Sequence, residues 1–235
     1  HVSIGSLPIV YYGNEQQKEK YLPKIATAEI KTAYALTEPS AGSDANSGKT
    51  KATIDSKNNC YLINGQKMWI TNSGFAEIFI VFAKIEDDEK LSAFIIEKSF
   101  GGITLGEEEK KLGIKGSSTR QVYFENCPVP MENLLGKRND GFKIALNILN
   151  SGRIKLSAAT IGGSKFALSK AIQYSIEREQ FGKSIGEFTA MQYKIGEMAR
   201  KIFSAESAVY RTGRNIDLKE KELKENKIPE NEIKL

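Results

Sequence analysis

Hydrophobic positions change their period twice along the chain. Near the start, Asn14 stands three residues ahead of Gln17, a helix-capping pair that opens the polar stretch Glu15–Tyr21, and Pro23 interrupts it. This reads as the tail of a helical domain. From Ala33 to about Pro130, apolar positions fall in short strand-like runs separated by turn residues: 33–36, 49–55, 61–64, 68–71, 78–85, 91–98 and 121–124. The pair Asn64-Gly65 is a hairpin signal, and the whole stretch is predicted to be an antiparallel β domain. Past Pro130, Phe142, Ala145, Leu146 and Leu149 recur at helical spacing behind Asp140-Gly141. A second helical run is predicted over about 154–178, a break at Phe181-Gly182-Lys183, and a third run over about 190–214. The end, 217–235, is mostly Lys, Glu and Asn with Pro229, an exposed linker or a solvated helix. The predicted class is therefore α+β, with helical ends at residues 1–32 and 138–235 around a β domain at 33–137.

Two hydroxyl-rich turns lie in the β region. In Tyr34-Ala-Leu-Thr-Glu-Pro-Ser-Ala-Gly-Ser-Asp44, an apolar strand end meets Thr37, Glu38, Pro39 and Ser40. Gly42 there permits a left-handed backbone that would gather N–H groups into an anion-binding nest, with Ser43 adding a hydroxyl. The same residue types also build ordinary turns. In the second run, Lys67-Met-Trp-Ile-Thr-Asn72, the sole tryptophan is followed by Thr71, Asn72, Ser73 and Gly74. A lone Trp is commonly a core residue, yet a flat ring beside a hydroxyl also suits a flavin.

Composition narrows the chemistry. Cys60 and Cys127 are far apart without a CxxC or Cys/His cluster, and His1 is the sole histidine, which disfavours a zinc site or a Ser-His-Asp triad and leaves free thiols as the default. The net charge of +5 suits an anionic ligand or simply a solvated surface, and gives no case for nucleic-acid binding. No run of about eighteen apolar residues and no signal-peptide pattern is visible. Ser43–Thr50 nearly reads as a phosphate-binding P-loop. It has Ser43 where glycine is needed, and a strand-like pattern follows where a helix is needed.

The runs YALTEPSAGSD, INGQKMWITN, FGGITLGEEEKKLGIKGSST, ENLLGKRNDGFKIALNILNSGR and EREQFGK, in that order, resemble the acyl-CoA dehydrogenase family, and the wording is most similar to its very-long-chain branch. The resemblance runs from about Gly13 to Arg211. It implies an antiparallel β-barrel or sandwich middle domain flanked by helical domains. It also implies FAD as cofactor, oxidation of a long or very long acyl-CoA to the trans-2-enoyl-CoA, electron-transfer flavoprotein as acceptor, and a homodimer or tetramer. Carried over singly, Tyr34, Leu36, Thr37, Gly42 and Ser43 match the first flavin-contacting segment and Trp69, Ile70 and Thr71 the second. Arg178 and Phe181 match the adenosine-side contacts of FAD, Arg178 reaching the FAD of a neighbouring subunit, although a helix-end cation such as Arg178 also serves as dipole compensation. Ser43, Asn150 and Arg153 match positions that touch acyl-CoA, Arg153 otherwise reading as a salt-bridged or snorkelling cation at the start of, or a break in, an apolar helical region.

One departure stands out, because the family's catalytic glutamate has no counterpart: no YEGT-like or FEGT-like sequence occurs, and the alternative position before Arg153 is Gly152. The expectation is a fragment whose base lies beyond Leu235. A scaffold or assembly relative and an acyl-CoA oxidase are the alternatives. The abundance of Lys, Ile and Asn suggests an AT-rich genome, with bacterial cytoplasm preferred and the mitochondrion as the alternative.

Overall fold

The computed structural model describes residues 3–226, so His1 and the 227–235 part of the predicted tail lie outside the described residues. The elements in order are α1 (Ser3–Tyr12), α2 (Glu15–Ala26), β1 (Thr32–Ala35), β2 (Lys51–Asp55), β3 (Cys60–Thr71), β4 (Ile78–Ile85), β5 (Ser92–Glu97), β6 (Ile103–Glu108), β7 (Thr119–Pro130), β8 (Leu134–Leu135), α3 (Gly141–Glu177), β9 (Glu179–Gln180), β10 (Lys183–Ser184) and α4 (Thr189–Glu225), with short 3-10 turns between them. The chain is α+β and divides into two compact units, His1–Leu149 and Asn150–Leu235.

In the first unit the sheet runs β6-β7-β3-β2-β4-β5-β8, with β1 beside β4. β4 and β5 read as nearly continuous apolar runs because both of their faces are covered. Phe79, Val81, Ala83, Phe94 and Ile96 point into one core with Ile63, Val122 and Val129. Ile78, Ile80, Phe82, Ala93 and Ile95 point into another, closed by Ile9 of α1, Tyr21 and Ile25 of α2, and Ile144, Ala145 and Ile148 of α3.

The all-antiparallel expectation is corrected at β4, where β1 and β2 share one edge and both run parallel to it. β1 pairs from Thr32↔Ile78 to Ala35↔Val81, and β2 only at Lys51↔Lys84 and Ala52↔Ile85. Residues 36–50 leave the sheet between these pairings and return to the same edge, a crossover long enough for parallel strands.

The Asn64-Gly65 hairpin is also corrected. β3 is one strand of 12 residues, and the β2–β3 turn falls at 56–59, where the Asp55 carboxylate accepts from the Lys57 and Asn58 N–H groups and Asn59 takes φ 52°. Asn64 instead faces an irregularity in β7, exchanging hydrogen bonds with Asn126. Gly65, at φ 152°, lets the Thr50 backbone approach to 2.8 Å from where a Cβ would stand. The sequence pattern does not predict β6, because Gly106 interrupts its alternation, Thr104, Glu107 and Glu108 are exposed and none of its residues is fully buried.

The Asn14–Gln17 capping box forms as read, with Gln17 N–H donating to Asn14 Oδ1 at 2.8 Å and Asn14 N–H to Gln17 Oε1 at 3.1 Å. Pro23, however, lies inside α2 and does not end it. Burial of Tyr21 and Ile25, together with Gln17 donating to the Glu132 and Leu134 carbonyls, holds the helix against the roughly 3 kcal/mol such a proline costs. The helical runs predicted at 142–149 and 154–178 merge into α3, so Arg153 neither begins nor interrupts a helix. No helix among the described residues is long and apolar enough to cross a membrane.

Gly65→Ala is expected to cost about 1–3 kcal/mol, since the new methyl both meets the Thr50 backbone and occupies a φ that L-residues rarely adopt. Thermal unfolding should show a correspondingly lower midpoint, while Gly113→Ala, with nothing within 4 Å of its position, should leave the midpoint close to that of the parent.

Candidate functional site

The loop 36–50 and the end of β3 meet at the place where β4 changes partners. Phe82 sits between the last residue paired with β1 and the first paired with β2, so its carbonyl lacks a strand partner on that edge. The Lys67 ammonium fills the gap, donating to the Phe82 carbonyl at 2.7 Å, the Leu36 carbonyl at 3.2 Å and Glu38 Oε1 at 2.7 Å. Both side chains are buried, Lys67 to 1% exposure and Glu38 to 4%. Glu38 in turn accepts from the Lys49 N–H at 2.6 Å and the Thr50 N–H at 3.1 Å, so one carboxylate fixes both ends of the loop.

The ionised pair shapes both titrations. Burial lowers Lys67 to about 8, with Glu38 acting in the opposite direction. Burial pushes Glu38 upward, but the Lys67 charge and the hydrogen bonds from Lys67, Thr50 and Lys49 more than offset it, so the net shift is downward. A depressed carboxylate favours the folded state above its unfolded pKa. That contribution is lost as pH falls through the lowered folded value.

A second device sits beside the pair. Between Lys67↔Val122 and Ile70↔Arg120, β3 carries an extra residue, a β-bulge. It frees the Met68 N–H from β7 to donate to the Thr37 carbonyl at 2.8 Å. Trp69 is thrown outward at φ 57° and stands 61% exposed, so the core reading of this tryptophan is set aside. A bulky residue at positive φ next to a bulge is a costly arrangement of the kind that clusters at ligand sites. Thr71 is exposed and Thr37 half-buried, and among the described residues neither they nor Ser43 spend a hydroxyl on an intramolecular bond.

The remaining residues of the first unit fall in distinct roles. Leu36 and Ile70 are buried in the two different cores, which leaves only their backbone groups for a ligand. The Tyr34 ring packs 5.1 Å from that of Phe82 and its hydroxyl donates to the Ala145 carbonyl at 3.3 Å, burial raising its pKa. The left-handed Gly42 is corrected: Gly42 is absent from the positive-φ glycines, because the preceding turn is closed by two reciprocal bonds between Glu38 and Ala41, which reverses the chain without it. Gly42 is exposed with nothing within 4 Å of a would-be Cβ, and Ser43 beside it is exposed too, so this side of the loop is an open surface. After Ser43 the chain makes one 3-10 turn, Ala45–Ser47, and enters β2, the strand expected where a P-loop needs a helix.

In the second unit Asn150 and Arg153 lie one turn apart on α3, and Arg153 Nη1 donates to Asn150 Oδ1 at 2.5 Å. Arg178 follows the end of α3 and is exposed. Phe181 and Gly182 form the two-residue turn between β9 and β10 with φ of 55° and 76°, the double positive φ of a type I′ hairpin. That turn leaves Phe181 93% exposed.

With this geometry in hand, comparisons with known proteins agree on one family. Three family models match in order: "Acyl-CoA dehydrogenase, N-terminal domain" over residues 1–29, "Acyl-CoA dehydrogenase, middle domain" over 33–127 and "Acyl-CoA dehydrogenase, C-terminal domain" over 139–229. The chain belongs to the acyl-CoA dehydrogenase family. It is 52% identical over 212 residues to a "Probable acyl-CoA dehydrogenase" of Bacillus subtilis, covering 90% of this chain and 36% of that protein. It is 45% identical over 225 residues to the mitochondrial very long-chain specific acyl-CoA dehydrogenase of Rattus norvegicus, covering 92% of this chain and 34% of that protein. The solved acyl-CoA dehydrogenase from Bacillus anthracis complexed with FAD superposes with a TM-score of 0.93 at 50% identity, covering 98% of this chain and 40% of that one. The chain thus spans about a third of the length of these curated relatives.

Sequence reasoning missed Lys67 and Glu38 as site residues, although Glu38 lies inside the first hydroxyl-rich run and Lys67 opens the second. Lys67→Met should cost about 3–5 kcal/mol, because it leaves the Glu38 carboxylate buried without its counter-charge. The Glu38→Gln/Lys67→Met double variant should lose less than Lys67→Met alone. A double-mutant cycle of urea midpoints measures the coupling.

Proposed function

We propose that this chain carries the flavin and acyl-CoA contacts of an FAD-dependent acyl-CoA dehydrogenase acting on long or very long acyl chains. The observation that carries the reading is Trp69, held outward at positive φ by a bulge that also ties Thr37 to the same place, so that an aromatic face and the free hydroxyls of Thr37 and Thr71 belong to one joined pair of segments. A planar ring system with polar edges fits this donor set: one wall for stacking, hydroxyls for the ring edge, and the open face at Gly42 and Ser43 for the remainder of the cofactor. The FAD bound in the Bacillus anthracis relative supports the same assignment.

In this reading FAD, when bound, accepts the hydride that leaves the β-carbon of the acyl chain, and the protein supplies alignment and electrostatics. Trp69 covers one side of the ring. Thr37 and Thr71 donate hydrogen bonds towards charge that accumulates on reduction. Tyr34, Leu36 and Ile70 hold these segments from within the cores. Arg178 and Phe181, displayed at the end of α3 and on the hairpin turn, are assigned to the FAD of a neighbouring subunit in a dimer or tetramer. Ser43, Asn150 and Arg153 are assigned to acyl-CoA. Gly152, one residue before Arg153, has no side chain to take a proton, and no carboxylate of this chain is proposed as the base that removes the α-proton. Electrons then pass to electron-transfer flavoprotein. Bacterial cytoplasm is the proposed compartment, in keeping with the Bacillus relatives.

The direct test is anaerobic addition of palmitoyl-CoA to the full-length protein with its visible spectrum recorded. Bleaching of a bound-flavin band is the expected result, whereas a flavin that stays oxidised with every acyl length would replace the enzyme reading by a scaffold role. Rapid reoxidation of the reduced flavin by air would instead indicate an oxidase. Thr71→Val is expected to lower the two-electron flavin potential by about 30–60 mV, the equivalent of one hydrogen bond to a charged acceptor. An unchanged potential would remove Thr71 from the site.

A further inference from the structure

We propose that Lys67 and Glu38 are the positioning residues of the ligand site, setting the spacing between the Thr37 loop and the Trp69–Thr71 bulge through one buried ion pair. The inference rests on the flavin reading above. Its basis is the number of fixed points around Thr37. The carbonyl of Leu36, immediately before it, receives Lys67 Nζ, the Thr37 carbonyl receives the Met68 N–H, and the side chain of Glu38, immediately after it, receives Lys67 Nζ again. Three successive residues of the loop are therefore bound to two successive residues of β3, and the next residue of β3 is Trp69.

The pair also determines where the loop goes on either side. The Glu38 backbone closes the turn that ends at Ala41, and its carboxylate, held by Lys67, draws back the Lys49 and Thr50 N–H groups at the loop's far end. Lys67 anchors β3 to β4 through the Phe82 carbonyl, just before the bulge begins. A hydrophobic replacement could fill the same volume, but it could not draw together two backbone carbonyls and a carboxylate at once. A buried ammonium with three acceptors also has little freedom, since any displacement of the loop leaves one of them unpaired.

The test uses full-length protein freed of flavin, as wild type and as Glu38→Gln/Lys67→Met, with Lys18→Met as a control that breaks only the exposed Lys18–Glu15 pair. Far-ultraviolet circular dichroism checks the fold, Trp69 emission, taken as the difference between each protein and its Trp69→Phe counterpart, reports the bulge, and FAD titration reports the site. The expected result is a folded double variant whose Trp69 emission shifts and whose FAD dissociation constant rises at least tenfold, with the control unchanged. A folded double variant that binds FAD within twofold of wild type with unaltered Trp69 emission overturns the proposal and leaves the flavin reading standing. Wild-type protein that takes up no FAD overturns the flavin reading itself, and the proposal with it. Should the double variant fail to fold, hydrogen exchange of flavin-free wild type decides. Peptides covering 36–43 and 66–72 are expected to be protected to the same degree, and free exchange of the first beside protection of the second overturns the proposal.

Discussion

Everything near the site depends on one buried ammonium completing an edge that the strands leave open. β4 has two parallel partners on one side, and the fold must send residues 36–50 out of the sheet where one partner ends and the other begins. That exit exposes a carbonyl in the interior, which costs free energy unless something donates to it. A backbone N–H cannot, because the strand that would carry it has left. Lys67 reaches in from β3, and its charge then requires a carboxylate, which the departing loop supplies as Glu38. The sheet's topological gap and the loop's anchorage are thus solved by the same side chain.

The surrounding sheet makes that solution rigid. Alternate residues of β4 and β5 enter two cores, one lined by β3 and β7 and the other by α1, α2 and the start of α3, so neither strand can slip by one residue without turning both faces over. Phe82 is a member of the second core, so the carbonyl that Lys67 meets is held in place by packing. The ion pair therefore transmits a location set by hydrophobic burial to a loop that has few buried side chains of its own.

Much of the fold could be read from the chain because local and global signals coincide there. The capping box at Asn14 formed as expected, β4 runs over the residues predicted, and Phe181-Gly182 turns the chain where the helical pattern stops. The misreadings share a cause, since each is a local signal overruled by a distant partner. Asn64-Gly65 has hairpin chemistry, but Asn126 and Thr50 convert it into a mid-strand irregularity. Pro23 has breaker chemistry, but Tyr21 and Ile25 are packed too well for the helix to end. Lys67 was illegible for the same reason: lysine in a strand pattern reads as a solvated position, and only the open edge of β4, some fifteen residues further on, makes it interior. Of the candidate site, the hydroxyls and the tryptophan were visible in the sequence, whereas the pair that joins them was not.

The strain at Trp69 follows from the same geometry and gives the site its character. A tryptophan at φ 57° is disfavoured by sterics, and because it is 61% exposed it gains little burial in return. What keeps it there is the bonding on either side: Lys67 anchored in the interior, the Met68 N–H drawn to Thr37, and Ile70 buried and back in register with β7. With both flanks fixed, one residue too many lies between them, and the excess must leave the ladder towards solvent. The outward ring is thus a consequence of how firmly its neighbours are held, and its direction is set by the chain's own bonds. Such preorganisation lowers the cost of ordering the site on binding. A planar ligand covering the ring would return part of the stability spent in holding an exposed aromatic at positive φ.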